Sequence, residues 1–130
     1  MNLEIVTIGD ELLLGLTIDT NAAWLARELA ADGVSIVRRA SVGDDAAMIA
    51  DAVRDALDRS GAVITTGGLG PTADDMTKPA IAALFGREMV FDAERWEALK
   101  QLWRERGRPG ELPESNRQQV MIPAGAHVLT

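Results

Sequence analysis

A chain of 130 residues, 47% hydrophobic and 25% charged, has enough apolar residues for one domain with a true core and too many for a disordered segment. A formal net charge of -7 excludes a nucleic-acid groove, which needs a basic surface to release phosphate counterions. The lack of cysteine excludes disulfides, thiolate nucleophiles and Cys-ligated zinc, and fits a reducing cytoplasm.

Residues 3–8 (LEIVTI) are β-rich and nearly all apolar, the pattern of a central strand covered on both faces. Interrupted by Glu4, the run is too short and too acidic for a signal peptide or membrane span, so the chain reads as soluble and cytoplasmic, with no membrane partner. The strand delivers Gly9-Asp10-Glu11 at its C-terminal end, where open α/β sheets bind ligands. The following Leu12-Leu13-Leu14-Gly15 reads as a loop folding back over the sheet, with a helix cap as the plain alternative for the acidic pair. Asp19-Thr20-Asn21 opens a helix that carries Ala22, Leu25, Ala26, Leu29 and Ala30 on one stripe and stops at Gly33; Thr20 or Asn21 is the expected cap. Residues 34–42 form a second strand ending in Gly43-Asp44-Asp45. One of these aspartates caps the next helix, striped by Ile49, Ala52, Val53, Ala56 and Leu57; the other has no local task.

A third strand, residues 62–66, feeds residues 66–77, TGGLGPTADDMT. Gly67, Gly68 and Gly70 let the chain wrap tightly and aim bare N–H groups at an oxyanion. Asp74 and Asp75, placed where an anion would be welcome, make sense with a divalent cation between carboxylate and phosphate. A plain strand-to-helix connection with capping residues is the alternative. The loop is not a P-loop, because no lysine precedes Lys78, and not a dinucleotide fingerprint, because Pro71, Thr72 and Ala73 follow Gly70 without a third glycine. A helix starts near Thr77, takes Pro79 in its first turn and closes at Gly86. The strand–helix alternation implies a mostly parallel sheet between helical layers, with three acidic sites following strand ends on one rim.

Residues 87–91 suggest a short edge strand, and Asp92 caps a helix to about Arg106. Its stripe of Trp96, Leu99 and Trp103, like Trp24, reads as core or subunit interface rather than cofactor contact. Residues 107–113 form a loop, 114–121 a short helix, 123–125 a turn and 126–129 a last strand, which holds the only histidine, His127, in a structural or exposed role.

The GDELLLG of residues 9–15, the DTN of 19–21, the GDD of 43–45 and the whole 66–77 loop, together with NRQQ at 116–119 and PAGA at 123–126, resemble the N-terminal domain of the CinA family, a member of the MogA/MoeA-like molybdopterin-binding fold. The resemblance implies a three-layer α/β/α domain with metal-dependent hydrolysis of the pyrophosphate bond of ADP-ribose or a related nucleotide diphosphate. In MogA and MoeA the matching loop binds molybdopterin or its adenylylated form. Those loops usually carry Arg-Asp where this chain has Asp74-Asp75, so Asp75 matches the family acid and Asp74 replaces a basic residue, which favours a metal. Asp44 sits at the place of a functional acid in MogA-type domains.

On this reading Gly67, Gly68, Gly70 and Thr72 hold the diphosphate, with Thr77 and Asn21 beside them. Asp10, Glu11, Asp44 and Asp75 are the expected ligands of a divalent ion, magnesium by its oxygen-only donors, and Asp44, Asp74 and Asp75 the catalytic acids. The expected partners are a small-molecule nucleotide diphosphate or pterin and further copies of the chain in a homo-oligomer. The single domain, residues 1–130, lacks the amidase domain of many CinA proteins and stops short of the family's usual last strand and helix, so it reads as C-terminally truncated. The alternatives are a molybdopterin-binding protein of cofactor assembly and a non-catalytic binding or oligomerisation module. A Nudix hydrolase is excluded, since no glycine leads into a Glu-rich helix.

Overall fold

The computed structural model describes residues 1–129. Strand β1 (Asn2–Ile8) is the centre of a parallel sheet of order β2-β1-β3, flanked by β2 (Ser35–Val42) and β3 (Val63–Thr66). Every residue of 3–8 is buried, as an apolar strand with neighbours on both edges and both faces must be. Alternation divides its side chains. Leu3 and Ile5 pack against Ala22, Leu25, Ala26 and Leu29 of helix α2 (Thr20–Ala31), while Val6 and Ile8 pack against Ile49 and Val53 of α3 (Ala46–Ser60) and Ala80 of α4 (Thr77–Leu84). The result is three layers: α2, the sheet, then α3 with α4.

Glu4 shares the face of Val6 and would be an isolated charge there, being only 2% exposed. Arg59, in the last turn of α3, reaches it with two hydrogen bonds of 3.0 and 2.9 Å, and the Ser60 hydroxyl adds a third at 2.8 Å. The guanidinium holds the Glu4 carboxyl below the usual carboxylate range, against the opposing effect of burial.

The second half of the chain departs from the single sheet that the sequence suggested. The expected edge strand 87–91 is β4 (Met89–Phe91), and it pairs antiparallel with β5 (Met121–Pro123) in a separate two-stranded sheet. Residues 126–129 form no strand: Gly125, at φ 81°, turns the chain after Pro123, and the pairing has already been made by Met121 and Ile122. The expected helix 114–121 is a 3₁₀ helix, Glu114–Val120. Helix α5 (Ala93–Glu105) covers this small lobe, whose own core joins Trp96, Leu112 and Val120 with Phe91, Leu99 and Trp103. Trp24 is core to neither lobe: it stands 54% exposed on α2.

Candidate functional site

Three connections leave the C-terminal ends of β1, β2 and β3, and the sequence assigned its acids to them. The first is not the loop read from Leu12-Leu13-Leu14: Asp10–Leu13 is a one-turn helix, α1, with its amides returning to the Gly9 carbonyl. Two acidic residues in the first turn, where negative charge suits the helix dipole, favour helix over loop. The Asp10 and Asp44 side chains meet by exchange. Asp44 N–H donates to Asp10 Oδ1 at 2.9 Å, and Asp10 N–H donates to Asp44 Oδ2 at 3.2 Å. The aspartate without a local task is therefore Asp44, which ties the end of β2 to the end of β1, while Asp45 caps α3 by accepting from Met48 N–H at 2.9 Å. Gly43 is buried under the Asp10 carboxylate, in a space that a Cβ would fill.

The cap of α2 is Asp19, not Thr20 or Asn21. Its Oδ1 accepts from Ala22 N–H at 3.1 Å, and its Oδ2 accepts a 2.6 Å bond from the buried Thr7 hydroxyl. A carboxylate serves both partners at once, which a hydroxyl or a neutral amide at the next position does less well. Asn21 is left exposed with Thr20 in the first turn of α2.

The glycine loop leaves β3 beside the end of β1. Gly67 (φ 94°) lies against the Ile8 carbonyl, so close that any Cβ would collide with it, and Gly68 (φ 64°) lies against Thr77. Thr77 is 1% exposed; its hydroxyl donates to the Gly67 carbonyl at 2.8 Å and its N–H to the Gly68 carbonyl at 3.3 Å. Thr77 thus closes the base of the loop from within the core. The Gly67 and Gly68 carbonyls are thereby occupied, while the N–H groups of Gly68 and Leu69 meet no backbone acceptor among the described residues.

Asp75 faces inward. Its Oδ2 accepts from the Thr72 hydroxyl at 2.8 Å and the Thr72 N–H at 3.0 Å, and the Gly70 N–H adds to the same carboxyl. The Thr72 hydroxyl, followed by these amides, holds the Asp75 carboxyl below the usual range, against partial burial. Asp74 stands exposed beside it. The structure therefore brings Asp10 and Asp44 together and sets the glycine loop next to them, while Glu11 is exposed on α1. Among the described residues no three His, Cys, Asp or Glu side chains gather into a metal group. Asp10 Oδ2 and Asp44 Oδ1 take no part in the exchange, and carboxylate oxygens are the donors magnesium takes, one or two of them with water and phosphate completing its shell.

Two residues that sequence reasoning did not assign to the site complete the loop's support. Gln118 Nε2 donates to the carbonyls of Thr72 and Asp75, both at 2.9 Å. Lys78 Nζ donates to the carbonyls of Gln118 and Gln119 at 3.1 and 2.8 Å, and burial draws its pKa downward. The only sequence signal was the position of Gln118 in the NRQQ string.

The family model for probable molybdopterin binding domains matches residues 4–128. A CinA-like protein of Gemmatimonas aurantiaca is 71% identical over 130 residues, covering 99% of this chain and 30% of that protein. A putative competence-damage inducible protein of Desulforudis audaxviator is 45% identical over 129 residues, covering 99% of this chain and 31% of its own. The chain thus spans about a third of the length of these curated relatives. Among solved structures, the protein CinA of unknown function from Thermoplasma acidophilum superposes with a TM-score of 0.78 at 35% identity, over 95% of this chain and 70% of that one. The molybdopterin biosynthesis enzyme MoaB of Thermus thermophilus shares the fold, with a TM-score of 0.63 at 23% identity over 94% of this chain and 78% of its own. No helix among the described residues is long and apolar enough to cross a membrane. The chain belongs to the family of probable molybdopterin binding domains, and within it to the CinA-like proteins.

Proposed function

We propose that this chain hydrolyses the pyrophosphate bond of ADP-ribose or a related nucleotide diphosphate with the help of a divalent ion, magnesium by preference. The observation that carries the reading is the placement of the Gly68 and Leu69 N–H groups, which meet no backbone acceptor among the described residues, on the same sheet rim as the Asp10–Asp44 junction. Amides without partners suit phosphate oxygens, and carboxylates at the same rim suit a cation that the phosphates share. Asp10 and Asp44 would hold the ion, with Asp75 and Glu11 as the further candidates. When bound, it neutralises charge on the diphosphate and lowers the pKa of nearby water.

In the reaction, water oxygen bonds to one phosphorus as the bond from that phosphorus to the bridging oxygen breaks. The bridging oxygen leaves with the other phosphate, giving AMP and ribose phosphate from ADP-ribose. Backbone N–H groups of Gly68 and Leu69 orient the diphosphate, and Asp74, exposed in the same loop, accepts the proton that water gives up. Asp75 keeps the loop closed around this arrangement.

Incubation with ADP-ribose and magnesium, with and without chelator, tests the reading by chromatography of AMP. Chelator-sensitive release is expected, lost in Asp10→Asn, whose amide oxygen can still accept from the Asp44 N–H and leave the fold intact. A fully active Asp10→Asn protein, or a folded chain that releases no AMP, would sink it. The family's description favours a second reading, in which the same amides hold the phosphate of a molybdopterin; it predicts thermal stabilisation by the pterin without metal-dependent turnover of ADP-ribose.

A further inference from the structure

We propose that Gln118 is a positioning residue of the glycine loop, through which the small lobe sets the geometry of the diphosphate seat; the proposal deepens the reading above and rests on it. One side-chain amide spans a whole turn: its two N–H groups reach the carbonyls of Thr72 and Asp75, both at 2.9 Å. The same turn is held from inside by the Asp75 carboxylate on the Thr72 N–H and hydroxyl. A turn gripped on both sides has lost most of its freedom before any ligand arrives, which is the condition for orienting a reacting group.

The grip has a firm base. Lys78, at the start of α4, donates to the Gln118 and Gln119 carbonyls. The neighbouring Arg117 lays its guanidinium 4.0 Å from the Phe91 ring centre and 5.5 Å from that of Trp96, and Val120 is buried in the small-lobe core. The 3₁₀ helix is thus fixed to the lobe by Arg117 and Val120 and presents Gln118 to the loop.

Fixing the two carbonyls also fixes the amides on the same peptide planes. All described peptides are trans, so the N–H groups of Ala73 and Met76 point away from Gln118. Neither finds a backbone acceptor among the described residues. Amides without a backbone partner suit an oxyanion.

The test uses the full chain with Gln118→Met, which keeps length without donors, and Gln118→Glu, which keeps shape but replaces donors by acceptors. Thermal melting, amide exchange and the magnesium-dependent turnover of ADP-ribose are measured on each. Expected are a melting temperature within about 2 °C of the unaltered chain, exchange in residues 72–76 faster by about tenfold, and kcat lower by about 10- to 100-fold with KM nearly constant. Unchanged exchange, or an unchanged kcat beside faster exchange, overturns the proposal. If the unaltered chain does not turn over ADP-ribose, the hydrolase reading fails by itself, and exchange in residues 72–76 decides the clamp: faster upholds it, unchanged overturns it.

Discussion

Replacing Thr77 by Val isolates the closure of the loop from everything else the residue does. The two side chains have nearly the same shape, so the buried volume at this 1% exposed position is kept and only the hydroxyl is lost. The Gly67 carbonyl, which now accepts from it at 2.8 Å, would then face a methyl group. An acceptor stranded in this way costs about 1–3 kcal/mol. Unfolding entropy of about 2.1 cal/mol/K per residue gives about 0.27 kcal/mol/K for 130 residues, so the melting temperature should fall by about 4–11 °C. Thr77→Ser, which retains the donor and loses one methyl, should cost about 1 kcal/mol and keep the loop closed. The assay is a thermal melt of the three proteins, joined to amide exchange across residues 67–76. Thr77→Val should open that segment and Thr77→Ser should not. A Thr77→Val protein that melts within about 1 °C of the unaltered chain, with its loop amides equally protected, would refute the assignment of Thr77 as the clasp.

Asp10→Ala removes one half of the exchange with Asp44 and frees the Asp44 N–H; since both partners are partly solvated the loss should be about 1 kcal/mol, read in urea, whereas hydrolysis of ADP-ribose should fall by orders of magnitude at the proposed ion site. A stability loss with full activity would move the ion elsewhere. The Glu4–Arg59 pair makes an acid limb: the folded-state pKa of Glu4 lies below its unfolded value of about 4.3, so its contribution is complete above that pH and is lost as pH falls through the folded value. Glu4→Gln should flatten the acid side of a stability-versus-pH curve; a curve as steep as before would assign the acid limb to other carboxylates.

Much of the fold was legible because its signals are local. The nearly all-apolar run of β1, a cap at Asp44 or Asp45, the cap Asp92, the stripes of α2, α3 and α5 and the glycine stops each act within one turn or strand of their own position. Local signals also misled. Residues 126–129 have strand-like composition, but a strand needs a partner, and β4 had already paired with Met121–Pro123. Asp10 and Glu11 begin a one-turn helix although the leucines after them suggested a loop.

The residue chemistry of the site was likewise written in the sequence: glycines that alone tolerate the turns at Gly67 and Gly68, and acids placed just after strands. What each acid does was decided by the tertiary structure, because those bonds join residues far apart in the chain. Asp44 meets Asp10 across 34 positions, Arg59 meets Glu4 across 55, and Gln118 meets Thr72 across 46. No periodicity or spacing rule encodes such pairs. They exist because the parallel sheet brings the ends of β1, β2 and β3 to one rim, and because the small lobe packs its 3₁₀ helix where one glutamine reaches two carbonyls.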